Sequence, residues 1–228
     1  METVADLNQI ERDADRHAMK TLLALVFASG LLNASQISVR VYDLAGIAPA
    51  ALERAINEAS RIFAQAGVEV RWKAGDPNAQ EAHETDQSAP SAFRDRHVRD
   101  YLVLRIGRGL AVHVPPAALG ISYPHAQFGV SATVFEERIE DLCTTPGVDF
   151  ALLLGYAIAH ELGHVVLALD DHSSAGIMRA HLGTTELPAA QLRMLAFTPD
   201  QAIRIRQFAV KQEPARNAGK LIAIRTRR

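Results

Sequence analysis

The chain has little cysteine and little excess of charge of either sign. Its one cysteine, Cys143 among 228 residues, excludes an internal disulfide and the cysteine-rich zinc modules. Lys and Arg number 24 against 26 Asp and Glu, so with a net charge of -2 no basic excess marks a nucleic-acid binder, and no nucleic-acid partner is expected. With 48% hydrophobic residues the chain is expected to fold as a globular protein. Any metal would have to be held by carboxylates and by some of its nine His residues.

Long apolar runs are also scarce near the N-terminus. The segment Leu22 to Leu32 is about half of the roughly 20 residues that a membrane-spanning helix needs, so stable membrane insertion is not expected. Met19 and Lys20 precede it and the small residues Asn33 to Ser35 follow it, which is the order of a secretory signal peptide. We therefore predict a signal peptide from Met19 to Ala34 and a secreted or periplasmic protein. The alternative is an ordinary amphipathic N-terminal helix.

Apolar periodicity predicts strands first and helices last. Residues 36–42 alternate as a strand, an amphipathic helix follows from Pro49 to the stop at Gly67, and Val68 to Trp72 alternate again. A strand, helix, strand unit of this length places its two strands parallel in one sheet. Three further strands are predicted at 101–106, 120–123 and 129–135. Two helices follow, one at 150–169 and one that begins at Pro199 with Thr198 as its N-cap.

The predicted helix at 150–169 contains the motif HExxH, formed by His160, Glu161 and His164. Two His residues four apart lie on one helical face, so both imidazoles can bind one Zn²⁺, and Glu161 beside them can act on a water bound to that metal. A catalytic zinc usually has three protein ligands. The third is His172, Asp170 or Glu186, and His172 is favoured because imidazole is the commoner zinc ligand.

The segment from His160 to Met178, HELGHVVLALDDHSSAGIM, resembles the zinc-binding segment of the metzincin metallopeptidases, in particular bacterial secreted ones. The resemblance implies His160, His164 and His172 as metal ligands, Glu161 as general base and Met178 as the methionine of a turn beneath the metal. The sequence departs from the usual HExxHxxGxxH, because Leu167 and Asp170 stand where that pattern has Gly and His. With His172 as ligand, Asp170 or Asp171 would orient a ligand through a hydrogen bond.

These observations together predict one α/β domain with a mixed, mainly parallel twisted sheet, a crossover helix, an active-site helix and a C-terminal helix, similar to the metzincins. Residues 1–35 form an extension with the signal peptide, 36–212 the catalytic domain and 213–228 a basic tail. The expected function is zinc-dependent cleavage of a peptide or protein substrate, which the sheet edge at 120–123 would bind as an added strand. A zinc-binding protein without peptidase activity and a metal-free domain are the alternatives.

Several other residues have both a functional and a structural interpretation. Tyr123 and Tyr156 are candidates for stabilising an oxyanion, although Tyr residues at such positions more often serve packing. Cys143 is a candidate for capping the zinc in a latent form, but an ordinary thiol is the simpler interpretation. His113, His125 and His181 are candidates for lying near the active site, although a single His is more often an ordinary surface or core residue.

Overall fold

The computed structural model describes residues 35–78, 101–109, 114–115, 117–124, 131–180, 187–188 and 193–225, the last helix beyond residue 212 as backbone alone. The predicted signal peptide lies outside the described residues, as does most of the loop expected at 75–98. Glu186, His113, His125 and His181 lie outside them as well.

A mixed five-stranded sheet forms the centre of the fold, as the sequence predicts. The strand order is β2-β1-β3-β5-β4, with all neighbours parallel except the antiparallel pair of β4 and β5. Strand β4 therefore lies at one edge of the described sheet. The strand bounds are β1 Ser35–Asp43, β2 Val68–Ala74, β3 Leu102–Gly107, β4 Gly120–Tyr123 and β5 Ser131–Phe135.

Four helices accompany the sheet in the described part of the chain. They are α1 Pro49–Gln65, α2 Glu136–Leu142, α3 Phe150–Leu167 and α4 Pro199–Arg225. The crossover helix α1, the motif-bearing helix α3 and the C-terminal helix α4 agree with the predictions. The short helix α2 was not predicted, because seven residues with few buried apolar side chains carry too little periodic signal. Arg108, which precedes α2 in the chain, forms ion pairs with both Glu136 and Glu140 of this helix.

Helix α3 is the centre of the hydrophobic core. It has the length and composition of a membrane-spanning helix, but 94% of that stretch is buried inside the protein, which is the behaviour of a core helix. It packs closely on α1 at Gly155, where a Cβ would lie 2.6 Å from the carbonyl oxygen of Ala55. The polar groups of HExxH are therefore carried on a helix that has little freedom to move.

Candidate metal centre

Helix α3 places His160 and His164 one turn apart on the same face. Both side chains are buried, and their Nε2 atoms lie 3.2 Å from one another. Asp149 is the N-cap of the helix, and its carboxylate accepts a hydrogen bond from the backbone N–H of Leu152. Helix periodicity and a satisfied N-terminus are therefore sufficient to bring these two imidazoles together.

His172 reaches the same point because the chain reverses directly after α3. Ala168 adopts a left-handed conformation with φ of 49°, and the backbone N–H of Leu169 donates to the carbonyl of His164 at 3.1 Å. The exposed imidazole of His172 then has its Nε2 3.3 Å from that of His164. Ligand atoms of His160, His164 and His172 all lie within 4.8 Å of one another. Asp170 is not part of this cluster, so of the two nearby alternatives the structure brings His172 to the other histidines.

The hydrogen bonds of the two helix histidines direct their Nε2 lone pairs inward. Nδ1 of His160 donates to the carbonyl of Ile177 at 2.7 Å, and Nδ1 of His164 donates to that of Leu169 at 2.8 Å. A neutral imidazole that donates from Nδ1 has only a lone pair on Nε2. These acceptors are backbone carbonyls, so the Nδ1 atoms of His160 and His164 are oriented by the main chain. That Asp170 or Asp171 orients a ligand stays a prediction, which now concerns His172.

The donor set fits a tetrahedrally bound metal ion. Two Nε2 lone pairs 3.2 Å apart repel one another unless a cation lies between them. Four ligands at about 2.0 to 2.1 Å from a tetrahedral zinc are separated by roughly 3.3 to 3.4 Å. Nε2 of His164 lies at similar distances, 3.2 and 3.3 Å, from Nε2 of His160 and of His172. Burial lowers the pKa of His160 to about 4, with His164 and His172 adding to the shift and the Ile177 carbonyl opposing it. The imidazole is thus neutral at physiological pH, as metal binding requires.

Glu161 is buried beside the histidines and held by the edge strand. The Ser122 hydroxyl lies 2.5 Å from Oε2 of Glu161 and 2.8 Å from its backbone carbonyl. Burial raises the pKa of Glu161 to about 7, although the hydrogen bond with Ser122 opposes this rise. A Cβ on Gly120 would lie 2.6 Å from Cγ of Glu161, so only glycine allows β4 to approach so closely. A carboxyl group with such a pKa suits proton transfer near neutral pH.

Met178 lies directly beneath the motif helix. Its side chain is 1% exposed, and a Cβ on Gly163 would lie 2.5 Å from its sulfur. The turn is closed by the backbone N–H of Ser173, which donates to the carbonyl of Met178 at 2.8 Å, and is anchored by that of Ile177, which donates to the carbonyl of Ala196 at 2.9 Å. The methionine is therefore in contact with the helix that carries both histidines.

The two tyrosines and the cysteine have simpler surroundings. Tyr156 is buried and donates to the carbonyl of Ile177 at 3.0 Å, the same carbonyl that accepts from His160, and burial raises its pKa. Tyr156 thus shares a backbone acceptor with His160. Tyr123 is 43% exposed on the edge strand, and Cys143 lies half-buried just after α2, outside the histidine cluster.

Sequence reasoning missed Ser122 as a partner of Glu161 and Tyr156 as a partner of Ile177. The contact of Ser122 with Glu161 spans 39 positions, and no local pattern distinguishes that serine from other strand residues. Together the described groups offer three converging imidazoles, a buried carboxyl group beside them and an adjoining sheet edge. No protein-family model matches the chain, and neither does any curated protein.

Proposed function

We propose that the chain is a zinc-dependent endopeptidase with a metzincin-like catalytic domain over residues 36–212. The observation that carries the proposal is the convergence of the Nε2 atoms of three histidines, two of them on the helix where the buried Glu161 directly follows His160. The resemblance of the segment from His160 to Met178 to the metzincins supports the same function. So does the contact between Met178 and the helix at Gly163.

His160, His164 and His172 would hold the Zn²⁺. When bound, zinc acts as a Lewis acid that lowers the pKa of a water molecule toward 7 and polarises the scissile carbonyl. Glu161 accepts the proton of the attacking water and passes it to the leaving amine. Ser122 orients the carboxyl group for this transfer by its hydrogen bond to Oε2.

Strand β4 is the proposed binding site for the substrate backbone. It is the outermost described strand on its side of the sheet, and it contacts Glu161 through Gly120 and Ser122. An extended peptide added to such an edge gains main-chain hydrogen bonds, and the contacts of β4 with Glu161 would bring its scissile bond toward that carboxyl group. The signal peptide expected from Met19 to Ala34 would bring the enzyme to secreted or periplasmic peptide substrates.

A metal and activity measurement on the purified full-length chain tests this proposal. We expect one zinc per chain by elemental mass spectrometry and cleavage of casein that a chelator abolishes. Glu161→Gln should retain the zinc and lower the cleavage rate by about 10² to 10⁴-fold, because it removes only the proton acceptor. Glu53→Gln is the matched control, since Glu53 is exposed on α1, and it should leave both readouts unchanged.

The other results would contradict the proposal in different ways. One zinc without cleavage would favour a zinc-binding protein that has no peptidase activity. Full cleavage by Glu161→Gln would exclude Glu161 as the base. A chain that binds no zinc would favour a metal-free structural domain. Glu161 argues against a purely structural zinc site, because such a site binds its metal through a fourth protein ligand and needs no base.

A further inference from the structure

Gln201 is a buried polar residue in the first turn of α4. Its side chain is 8% exposed, and its Oε1 accepts a hydrogen bond from the backbone N–H of Thr198 at 2.9 Å. In return the backbone N–H of Gln201 donates to Oγ1 of Thr198 at 3.4 Å. This reciprocal pair is a capping box, which accounts for one end of the Gln201 amide.

The other end of the amide reaches the loop that carries the third histidine. Nε2 of Gln201 donates to Oγ of Ser173 at 3.3 Å, across 28 positions of sequence. The orientation of the amide is determined by its partners, because the N–H of Thr198 can only donate and so must face Oε1. Oγ of Ser173 in turn donates its single proton to the carbonyl of Ala175 at 2.7 Å, so it faces Gln201 as an acceptor.

Ser173 directly follows His172, the exposed member of the histidine cluster. Its backbone also closes the turn through the hydrogen bond to the Met178 carbonyl. Three bonds therefore hold Ser173, and the one from Gln201 comes from a different element of the fold. Displacing Ser173 would move the backbone from which the imidazole of His172 reaches the other two histidines.

We propose that Gln201 is a positioning residue for His172: its amide ties the first turn of α4 to the loop and so holds the third histidine in place for the metal. This inference rests on the proposed metal site. A capping box needs only the Oε1 acceptor, and a glutamate provides it equally well. The donor on Nε2 is the part of the side chain that serves the loop.

The substitution Gln201→Glu separates the two functions of this side chain. It keeps an acceptor for the Thr198 N–H but places an oxygen opposite Ser173, whose proton is already donated to Ala175. We expect the Kd for Zn²⁺, measured by competition with a chromophoric chelator, to rise about 10-fold, at the lower end of what partners of metal ligands cost. The melting temperature of the metal-free chain should stay close to that of the unmodified protein.

Two variants complete the experiment. Gln207→Glu makes the same chemical change at an exposed position of α4 and should leave the Kd unchanged. Ser173→Ala should raise the Kd by itself and remove most of the effect of adding Gln201→Glu, since the two residues act through one contact. In the Co²⁺-loaded chain, the visible absorption of Gln201→Glu should differ from that of the unmodified protein.

The possible failures are distinguishable. If the unmodified chain binds Zn²⁺ and Gln201→Glu binds it equally well, Gln201 is only a helix cap and this inference is wrong while the metal site stands. If Gln201→Glu lowers affinity equally with and without Ser173, the effect does not pass through this loop and the inference is also wrong. An unmodified chain that binds no Zn²⁺ overturns the inference and the proposed function together.

Discussion

The two halves of the candidate metal centre are built in different ways. His160 and His164 are buried on one core helix, where a single periodicity determines their spacing. His172 is exposed on the loop 168–179, whose shape depends on hydrogen bonds to Ala196 and Gln201 from outside the loop. Changes in the loop should therefore act mainly on metal affinity. Changes at the ends of α3 should act mainly on the stability of the fold.

The largest effect is expected from removing the loop histidine. His172→Ala should weaken Zn²⁺ binding by more than about 100-fold, because losing a ligand costs more than losing a partner of a ligand. Asp170→Ala, two positions earlier on the same loop, should change the affinity far less. Metal titration of both variants checks this, and the reverse order would make Asp170 the third ligand.

The next largest effect should come from deforming the loop without touching a ligand. Gly176 has φ of 72°, and a Cβ there would lie 2.5 Å from the carbonyl oxygen of Ala196. Gly176→Ala should therefore lower stability by more than the roughly 1 to 2 kcal/mol that a left-handed alanine costs, and should weaken Zn²⁺ binding as well.

Gly46 supplies the matched control for this change. Its φ of 71° is nearly the same, but a Cβ there would have nothing within 4 Å. Gly46→Ala should lower the melting temperature, because alanine is strained in this conformation, but should leave the Zn²⁺ affinity unchanged. Equal losses of affinity in both glycine variants would mean that the loop is not the sensitive half of the site.

The N-cap of α3 tests the helix half. Asp149→Ala should lower the free energy of unfolding by about 1 kcal/mol at neutral pH and leave the Zn²⁺ affinity unchanged. Burial alone would raise the pKa of Asp149, but hydrogen bonds from Arg54 and from backbone N–H groups outweigh it and lower the pKa below its ordinary value.

The pH dependence of this difference has a definite sign. A carboxyl group whose pKa is lowered in the folded state stabilises the protein at pH values above its pKa in the unfolded state. This stabilisation is lost as the pH falls through the pKa that the group has in the folded state. The difference in stability between the unmodified chain and Asp149→Ala should therefore persist at neutral pH and shrink in acid below pH 3.8. Denaturant unfolding at several pH values measures it, and a difference that grew toward low pH would contradict the assignment.

The smallest effect is expected at the junction between the two halves. Ala168→Gly should raise stability by up to about 1 kcal/mol, because glycine adopts the observed φ of 49° without the Cβ strain of alanine. Ala64→Gly on the exposed side of α1 should have the opposite sign, since glycine weakens a helix. Thermal unfolding compares them, and destabilisation by Ala168→Gly would show that Ala168 is not strained.

Much of the fold follows from local patterns in the sequence. The bounds of β1, α1 and β2 agree with the predicted ones within about two residues, because alternation and helical periodicity are strong there. Helix α2 was missed because its seven residues carry little periodic signal, and the hydrogen bond that Glu136 accepts comes from Arg108, 28 positions earlier. The antiparallel placement of β4 at the edge likewise depends on a pairing between strands that neither strand displays alone.

By itself the sequence determined that His160, Glu161 and His164 lie together on an apolar helix, because a spacing of four residues is one helical turn. Only the tertiary structure decided that His172 rather than Asp170 joins them and that Ser122 contacts Glu161. The position of His172 depends on the left-handed turn at Ala168 and on the hydrogen bond from Gln201 of α4 to Ser173. Ser122 lies near Glu161 because β4 pairs with β5. These distances arise between segments far apart in the chain, where no local periodicity specifies them.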